Sequence, residues 1–213
     1  MEYPILYSFR RCPYAMRARL ALQRAEIRSE LREVILRDRP EHMMEISPKG
    51  TVPVMLLQDG TLLEESLDIM DYACTKIDSL SWKKESIENF DEMISKLDGD
   101  FKHNLDRYKY PNRYDNVDSI QHRDANIPFL EIIDNLLVDG NFLSGEEMGI
   151  LDCAIFPFIR QFANHNRDWF DNLPLQRLLK WLDACLSSEE SVSYTHLTLR
   201  RSTLCRSRWS PYH

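Results

Sequence analysis

No run of about eighteen apolar residues occurs in the 213-residue chain, so the sequence offers no helix able to span a membrane. No charged and then apolar leader precedes the first β-favouring run. Met1-Glu2-Tyr3 leads straight into it, and no secretory signal is expected. The five cysteines are scattered and odd in number, and none falls in a paired, metal-type spacing. That usage argues against a disulfide framework or a metal centre and suits a reducing, cytoplasmic compartment. Basic residues are outnumbered 34 to 27 by acidic ones, a formal net charge of -7, which disfavours nucleic acid as a partner. Four of the basic residues crowd into 191–213, where there is no Asp or Glu, so the rest of the chain is more acidic still.

Also missing is a second cysteine beside the first. Ile5-Leu-Tyr-Ser-Phe-Arg-Arg-Cys12-Pro13-Tyr14-Ala15 reads as a strand, a short loop and the start of a helix. Pro13 suits the first helical position, where its missing N–H is no loss, and Cys12 then becomes the N-cap. A thiolate there would face unpaired backbone N–H groups and the positive end of the helix dipole. With Arg10 and Arg11 adjacent, the thiol is expected to ionise below its usual value of roughly 8.5 and to act as a nucleophile. Ala15 stands where a redox pair would place its second cysteine, so an external thiol would have to resolve any mixed disulfide. Tyr7 and Ser8 are read as ordinary strand residues.

The elements that follow have a definite order. Helix one carries Met16, Leu20, Ala21 and Ile27 on an apolar face, with its arginines on the other. Glu30 to Leu36 alternates as a second strand, parallel to the first. A short helical piece runs from Arg39-Pro40-Glu41 to Ile46. Val52-Pro53 precedes a third strand, with Pro53 a candidate cis bond. Gln58-Asp59-Gly60-Thr61 signals a hairpin turn. Ser66 reads as the N-cap of a helix reaching Ile77.

This order, with Cys12-Pro13-Tyr14-Ala15, Val52-Pro53 and Glu65-Ser66, resembles the thioredoxin-like domain of the glutathione transferase superfamily. The cysteine motif is similar to that of the cysteine-containing omega class, and to glutaredoxins, and the chain is read as a bacterial member. The resemblance implies a glutathione site. Cys12 would face the glutathione sulfur, and Val52 would pair its backbone with the cysteinyl part, exposed by a cis Pro53. Glu65 would meet the γ-glutamyl ammonium and Ser66 its carboxylate. Arg39 stands where the omega class has a lysine near the glycyl carboxylate, and Tyr14 and Leu36 match lining positions. On residue type alone, Ser66 is a helix cap, Glu65 and Arg39 are surface charges, and Leu36 belongs to the core.

Beyond a polar connector at 78–84, the pattern is helical. The chain thus divides into an α/β unit at 1–77 and an all-α unit at 85–188. Apolar residues from Ile87 to Tyr108 recur in steps of three and four, as in one long amphipathic helix. A second helical pattern contains Pro128 as a kink or a divide and ends at Asp139-Gly140-Asn141. In the resembled family a Ser or Thr caps the helix holding Asp152. Here Gly149 takes that place, and Asp152 can still reach back to the cap backbone. Leu175, Leu178, Leu179, Leu182 and Leu186 form a last helix. Cys74, Cys153 and Cys185 are read as core thiols, Trp169 and Trp181 as packing residues, and His165 as a helix-terminal side chain. Residues 189–213 have no clean apolar face and read as a disordered basic tail or as non-native sequence.

The resemblance implies a cytoplasmic glutathione-dependent thiol transferase, with glutathione as co-substrate, no metal, and a homodimeric assembly. It would reduce glutathionyl mixed disulfides or small oxidants. Conjugation of glutathione to electrophiles is a rival chemistry. A non-enzymatic binding protein resembling stringent starvation protein A is a rival from another class.

Overall fold

The computed structural model describes residues 2–137 and 140–188. Strand β1 (Ile5–Ser8) leads through a turn into α1 (Pro13–Arg24), then β2 (Glu30–Glu33) and α2 (Glu41–Ile46). Strands β3 (Val54–Leu56) and β4 (Leu62–Leu63) precede α3 (Ser66–Cys74). The sheet order is β2-β1-β3-β4. β1 runs parallel to β2, with Ile5 opposite Glu30, and antiparallel to β3, with Leu6 opposite Met55. The Asp59-Gly60 turn joins β3 and β4 as an antiparallel pair. Gly60 there takes φ 90°, which favours glycine, and Thr61 N–H donates to Asp59 Oδ1 at 2.9 Å. The strand–helix–strand order and the hairpin therefore match the expectation, with the second strand ending at Glu33 rather than at Leu36.

The apolar-against-basic reading of α1 is corrected. Arg17 is wholly buried and Arg19 nearly so, because α1 is sandwiched between the sheet, α3 and α8 (Ile150–Ala163). Each guanidinium is held inside the fold: Arg19 donates from Nη1 to Ser8 Oγ and from Nη2 to Arg10 O, and Arg17 is described below.

The helical half follows two short 3-10 turns, Leu80–Trp82 and Lys84–Ser86. The single long helix expected from Ile87 is a composite. It comprises α4 (Phe90–Lys96), a π-helical turn at Leu97–Phe101, and α5 (Lys102–Lys109). Asp118 caps α6 (Ser119–Asp124), accepting from the N–H groups of Ile120 and Gln121. Pro128 is a divide rather than a kink, since it lies in the first turn of α7 (Ile127–Leu136). Of the expected end at Asp139-Gly140-Asn141, Asp139 lies outside the described residues, as does the whole of 189–213. α8, the short α9 (Arg167–Asp171) and α10 (Gln176–Ser187) complete the bundle. No helix among the described residues is long and apolar enough to cross a membrane.

Gly149 at the head of α8 is explained by crowding. A Cβ there would lie 2.3 Å from Ser81 O and 2.4 Å from Ser144 Cβ. The capping oxygen comes instead from Ser144, whose Oγ accepts the Leu151 N–H at 3.2 Å. Asp152 reaches back as expected. Its buried carboxylate accepts N–H groups from Leu143, Ser144 and Gly149, and from the Trp181 indole at 2.7 Å. Trp181 is thus both a packing residue and a donor. Cys153 and Cys185 are buried and Cys74 is half-buried.

Candidate functional site

Cys12 is the N-cap of α1, with extended φ/ψ of -79° and 122°, and Pro13 opens the helix. Its Sγ donates to Val52 O at 3.6 Å, across the cis Val52-Pro53 bond region. The expectation of a depressed thiol pKa does not hold in the folded chain. Burial pushes the Cys12 thiol up, against the opposing pull of the Ala15 and Tyr14 backbone N–H groups and the charges of Lys102 and Arg19. The helix start does favour the thiolate, but desolvation outweighs it here.

The remaining expected site residues differ in burial and in the partners they hold. Glu65 and Ser66 exchange roles at the head of α3. Glu65 is the N-cap, with extended backbone, and Ser66 is the first helical residue. The Glu65 carboxylate is exposed and pairs with Lys49 Nζ at 3.1 Å. Ser66 is buried and its Oγ accepts from Arg17 Nη1 at 3.3 Å. Arg39 donates from Nε to Gly50 O at 2.6 Å, tying the segment before α2 to the loop that delivers Val52. Leu36 is not core, at 40% exposed, because β2 ends at Glu33 and the chain leaves the sheet before reaching it. Tyr14 is half-buried. Its ring meets Phe158 edge-on at 4.9 Å, and burial and nearby Asp98 raise its phenol pKa. Tyr7 and Ser8 are engaged elsewhere, with Tyr7 Oη accepting from Arg32 at 2.7 Å.

Sequence reasoning missed Arg17. Its guanidinium donates to both Asp98 carboxylate oxygens, to Ser66 Oγ and to Ala154 O, and stacks 4.6 Å from the Phe158 ring centroid. One side chain of α1 thereby joins the head of α3 to the helical half. Lys49 was also missed, although a cation in the Pro48-Lys49-Gly50 turn was a visible signal. Among the described residues, no group of three or more His, Cys, Asp or Glu side chains is placed to hold a metal ion.

The family profile described as glutathione S-transferase, N-terminal domain, matches residues 6–79. A probable glutathione transferase of Aplysia californica is 41% identical over 63 residues, which cover 30% of this chain and 67% of that protein. The chain belongs to the glutathione transferase family. It is also similar to glutathione S-transferase omega-1 of Mus musculus, 37% identical over 67 residues. Those residues span 32% of this chain and only 28% of the mouse protein. In fold, it is similar to a glutathione transferase family member from Pseudomonas fluorescens Pf-5 whose crystal structure has two glutathione bound. That likeness has a TM-score of 0.75 at 19% identity, covering 91% of this chain and 92% of the other. The α/β unit followed by a helical unit is therefore the family's arrangement, a thioredoxin-like domain and a helical domain.

Proposed function

We propose that this transferase-family chain is a cytoplasmic glutathione-dependent thiol transferase with Cys12 as its nucleophile. The observation that carries this reading is the placement of Cys12 Sγ at the head of α1, 3.6 Å from the backbone carbonyl of Val52. An extended cysteinyl backbone laid along Val52 would bring its own sulfur to Cys12. The Cys12 thiolate attacks the glutathionyl sulfur of a mixed disulfide. The substrate S–S bond breaks, and the other thiolate leaves with the electron pair. A second glutathione thiolate then attacks the Cys12–glutathione disulfide, giving glutathione disulfide and restoring the Cys12 thiolate. The N–H groups of Tyr14 and Ala15 and the charge of Lys102 favour the anion each time it forms.

Recognition follows from the surrounding groups. Glu65 exchanges its Lys49 partner for the γ-glutamyl ammonium. Ser66 and the N-terminus of α3 take the adjoining carboxylate, with buried Arg17 behind the hydroxyl. Arg39 reaches the glycyl carboxylate, and Tyr14, Leu36 and Pro53 line the remainder. The omega-like cysteine motif favours thiol transfer over conjugation, since a thiolate facing the glutathionyl sulfur of a mixed disulfide takes that group over by exchange, with the partner thiolate leaving. The family likeness further suggests a homodimer.

Intact mass after treatment with glutathione disulfide tests the reading. Wild type should gain one glutathionyl group more than Cys12→Ser and lose it to excess glutathione. Equal gain in both proteins would remove Cys12 from the mechanism.

A further inference from the structure

A cavity of about 360 Å³ lies between the turn after β1, the flank of α1, the end of β2 and the last turn of α8. Arg10, Arg11, Arg19, Lys109 and Arg160 line it, against a single carboxylate, Glu33. Glu33 already accepts the Arg10 backbone N–H at 2.8 Å. Among the described residues, no carboxylate lies within 4.0 Å ion-pair reach of Arg10, Arg11, Lys109 or Arg160. Elsewhere the acidic body of the chain provides partners: Arg17, Arg32, Arg123 and Arg167 each pair with an aspartate or glutamate. Cations gathered around a concave, partly apolar wall reinforce one another's potential. Guanidinium forks match carboxylate and phosphate oxygens. Met16 and Leu31 supply the apolar part of the wall.

The cavity abuts the nucleophile's own turn. Arg11 precedes Cys12, and Gln161 Nε2 holds Arg11 O at 3.2 Å, fixing the turn against α8. We propose that this cavity receives the second substrate and selects it for acidity: the thiol partner in the glutathionyl mixed disulfide bears two or more negative charges. This inference rests on the thiol-transfer reading and adds the substrate class to it. The same cations would act on the reaction. When the substrate S–S bond breaks, the electron pair goes to the departing thiolate, and a positive surround makes that sulfur a better leaving group.

Three mixed disulfides of glutathione discriminate: with mercaptosuccinate (two carboxylates), with 2-mercaptoethanol (neutral) and with cysteamine (cationic). At low salt, kcat/KM for the mercaptosuccinate disulfide should exceed that for the cysteamine disulfide by about tenfold or more, narrowing as salt rises. Arg160→Glu and Lys109→Glu should each lower the acidic-to-neutral rate ratio by about fivefold or more. Arg113→Glu makes the same charge change on the exposed segment after α5 and should leave the ratio unaltered. Should Arg160→Glu fail to fold, Lys109→Glu carries the comparison. A flat response across the three disulfides, or ratios insensitive to both cavity variants, would overturn the proposal while leaving thiol transfer intact. No turnover of even the neutral disulfide would overturn the thiol-transfer reading, and this inference with it.

Discussion

Arg17 and Asp98 meet fork to fork across the two halves of the chain, with Nη2 to Oδ1 at 2.8 Å and Nη1 to Oδ2 at 3.1 Å. The arginine side chain is fully buried and the aspartate 29% exposed. Removing the carboxylate would strand a buried guanidinium, which typically costs about 3 kcal/mol or more. Asp98→Ala should therefore lower the melting temperature by roughly 6 to 12 °C for a chain of this size. Because Arg17 also donates to Ser66 Oγ, the same variant should weaken glutathione binding, and calorimetric titration measures this. A variant with unchanged melting would mean that Ala154 O and the aromatic rings suffice to hold Arg17.

Gly149→Ser restores the residue type that the resembled family uses as the cap, and it should nonetheless destabilise. The new Cβ would fall 2.3 Å from the Ser81 carbonyl oxygen, a backbone atom that cannot swing aside. A loss of about 2 kcal/mol or more is expected in chemical denaturation. Ser144→Ala removes only the capping hydroxyl and should cost about 1 kcal/mol.

Thiol chemistry should be alkaline in the unliganded protein. Burial raises the Cys12 pKa, and burial with the Asp71 charge raises that of Cys74 to about 11. Iodoacetamide labelling of Cys12 should therefore climb through and beyond the ordinary thiol range, with Cys74 following near pH 11. In the folded chain both thiols hold their protons more tightly than in the unfolded one. Their contribution to stability is complete below the ordinary range of roughly 8.5 and fades as pH rises through the folded values. Cys74→Ala should accordingly flatten the decline of melting temperature between about pH 9 and 11. A Cys12 labelling midpoint well below pH 8 would show that the helix start outweighs burial after all.

Glu65→Gln should weaken glutathione binding about 10- to 150-fold, the usual effect of losing one charge-assisted contact. Lys49→Met should leave affinity at or above wild type, because it removes the cation that occupies Glu65 in the free chain. A large loss in Lys49→Met would instead make Lys49 the ligand contact.

Local signals carried much of the fold into view. The β-favouring run before Cys12-Pro13, the Asp59-Gly60 turn and the steps of three and four in the helices act over a few residues, and the structure follows them. What escaped was decided by distant partners. Arg17 looks like a solvated charge until Asp98 and Ala154 arrive from the helical half. Ser66 looks like a cap because a hydroxyl before an apolar run usually is one, and a buried guanidinium claims it instead. The acidity of Cys12 was misjudged for the same reason: the helix start is written locally, whereas its burial comes from the folded chain. Gly149 appeared to be a weakened motif, and only the positions of Ser81 and Ser144 show why nothing larger fits.

The π turn at Leu97–Phe101 puts the two ends of its helix out of phase. Each residue in a helix advances the face by about 100°, and a π turn accommodates one residue more than the regular winding allows. Excising a single residue within it would rewind the turn to α geometry and leave the faces downstream nearly where they are. Excising one from the regular winding at the start of α5 would instead turn everything beyond it by about 100°. Leu105 and Tyr108 would then swing away from the core they now fill, and Lys109 away from its cavity. The π turn is thus the slip joint of this helix: one residue can be taken up there, whereas the winding beyond it tolerates a change of a whole turn far more readily than of one residue.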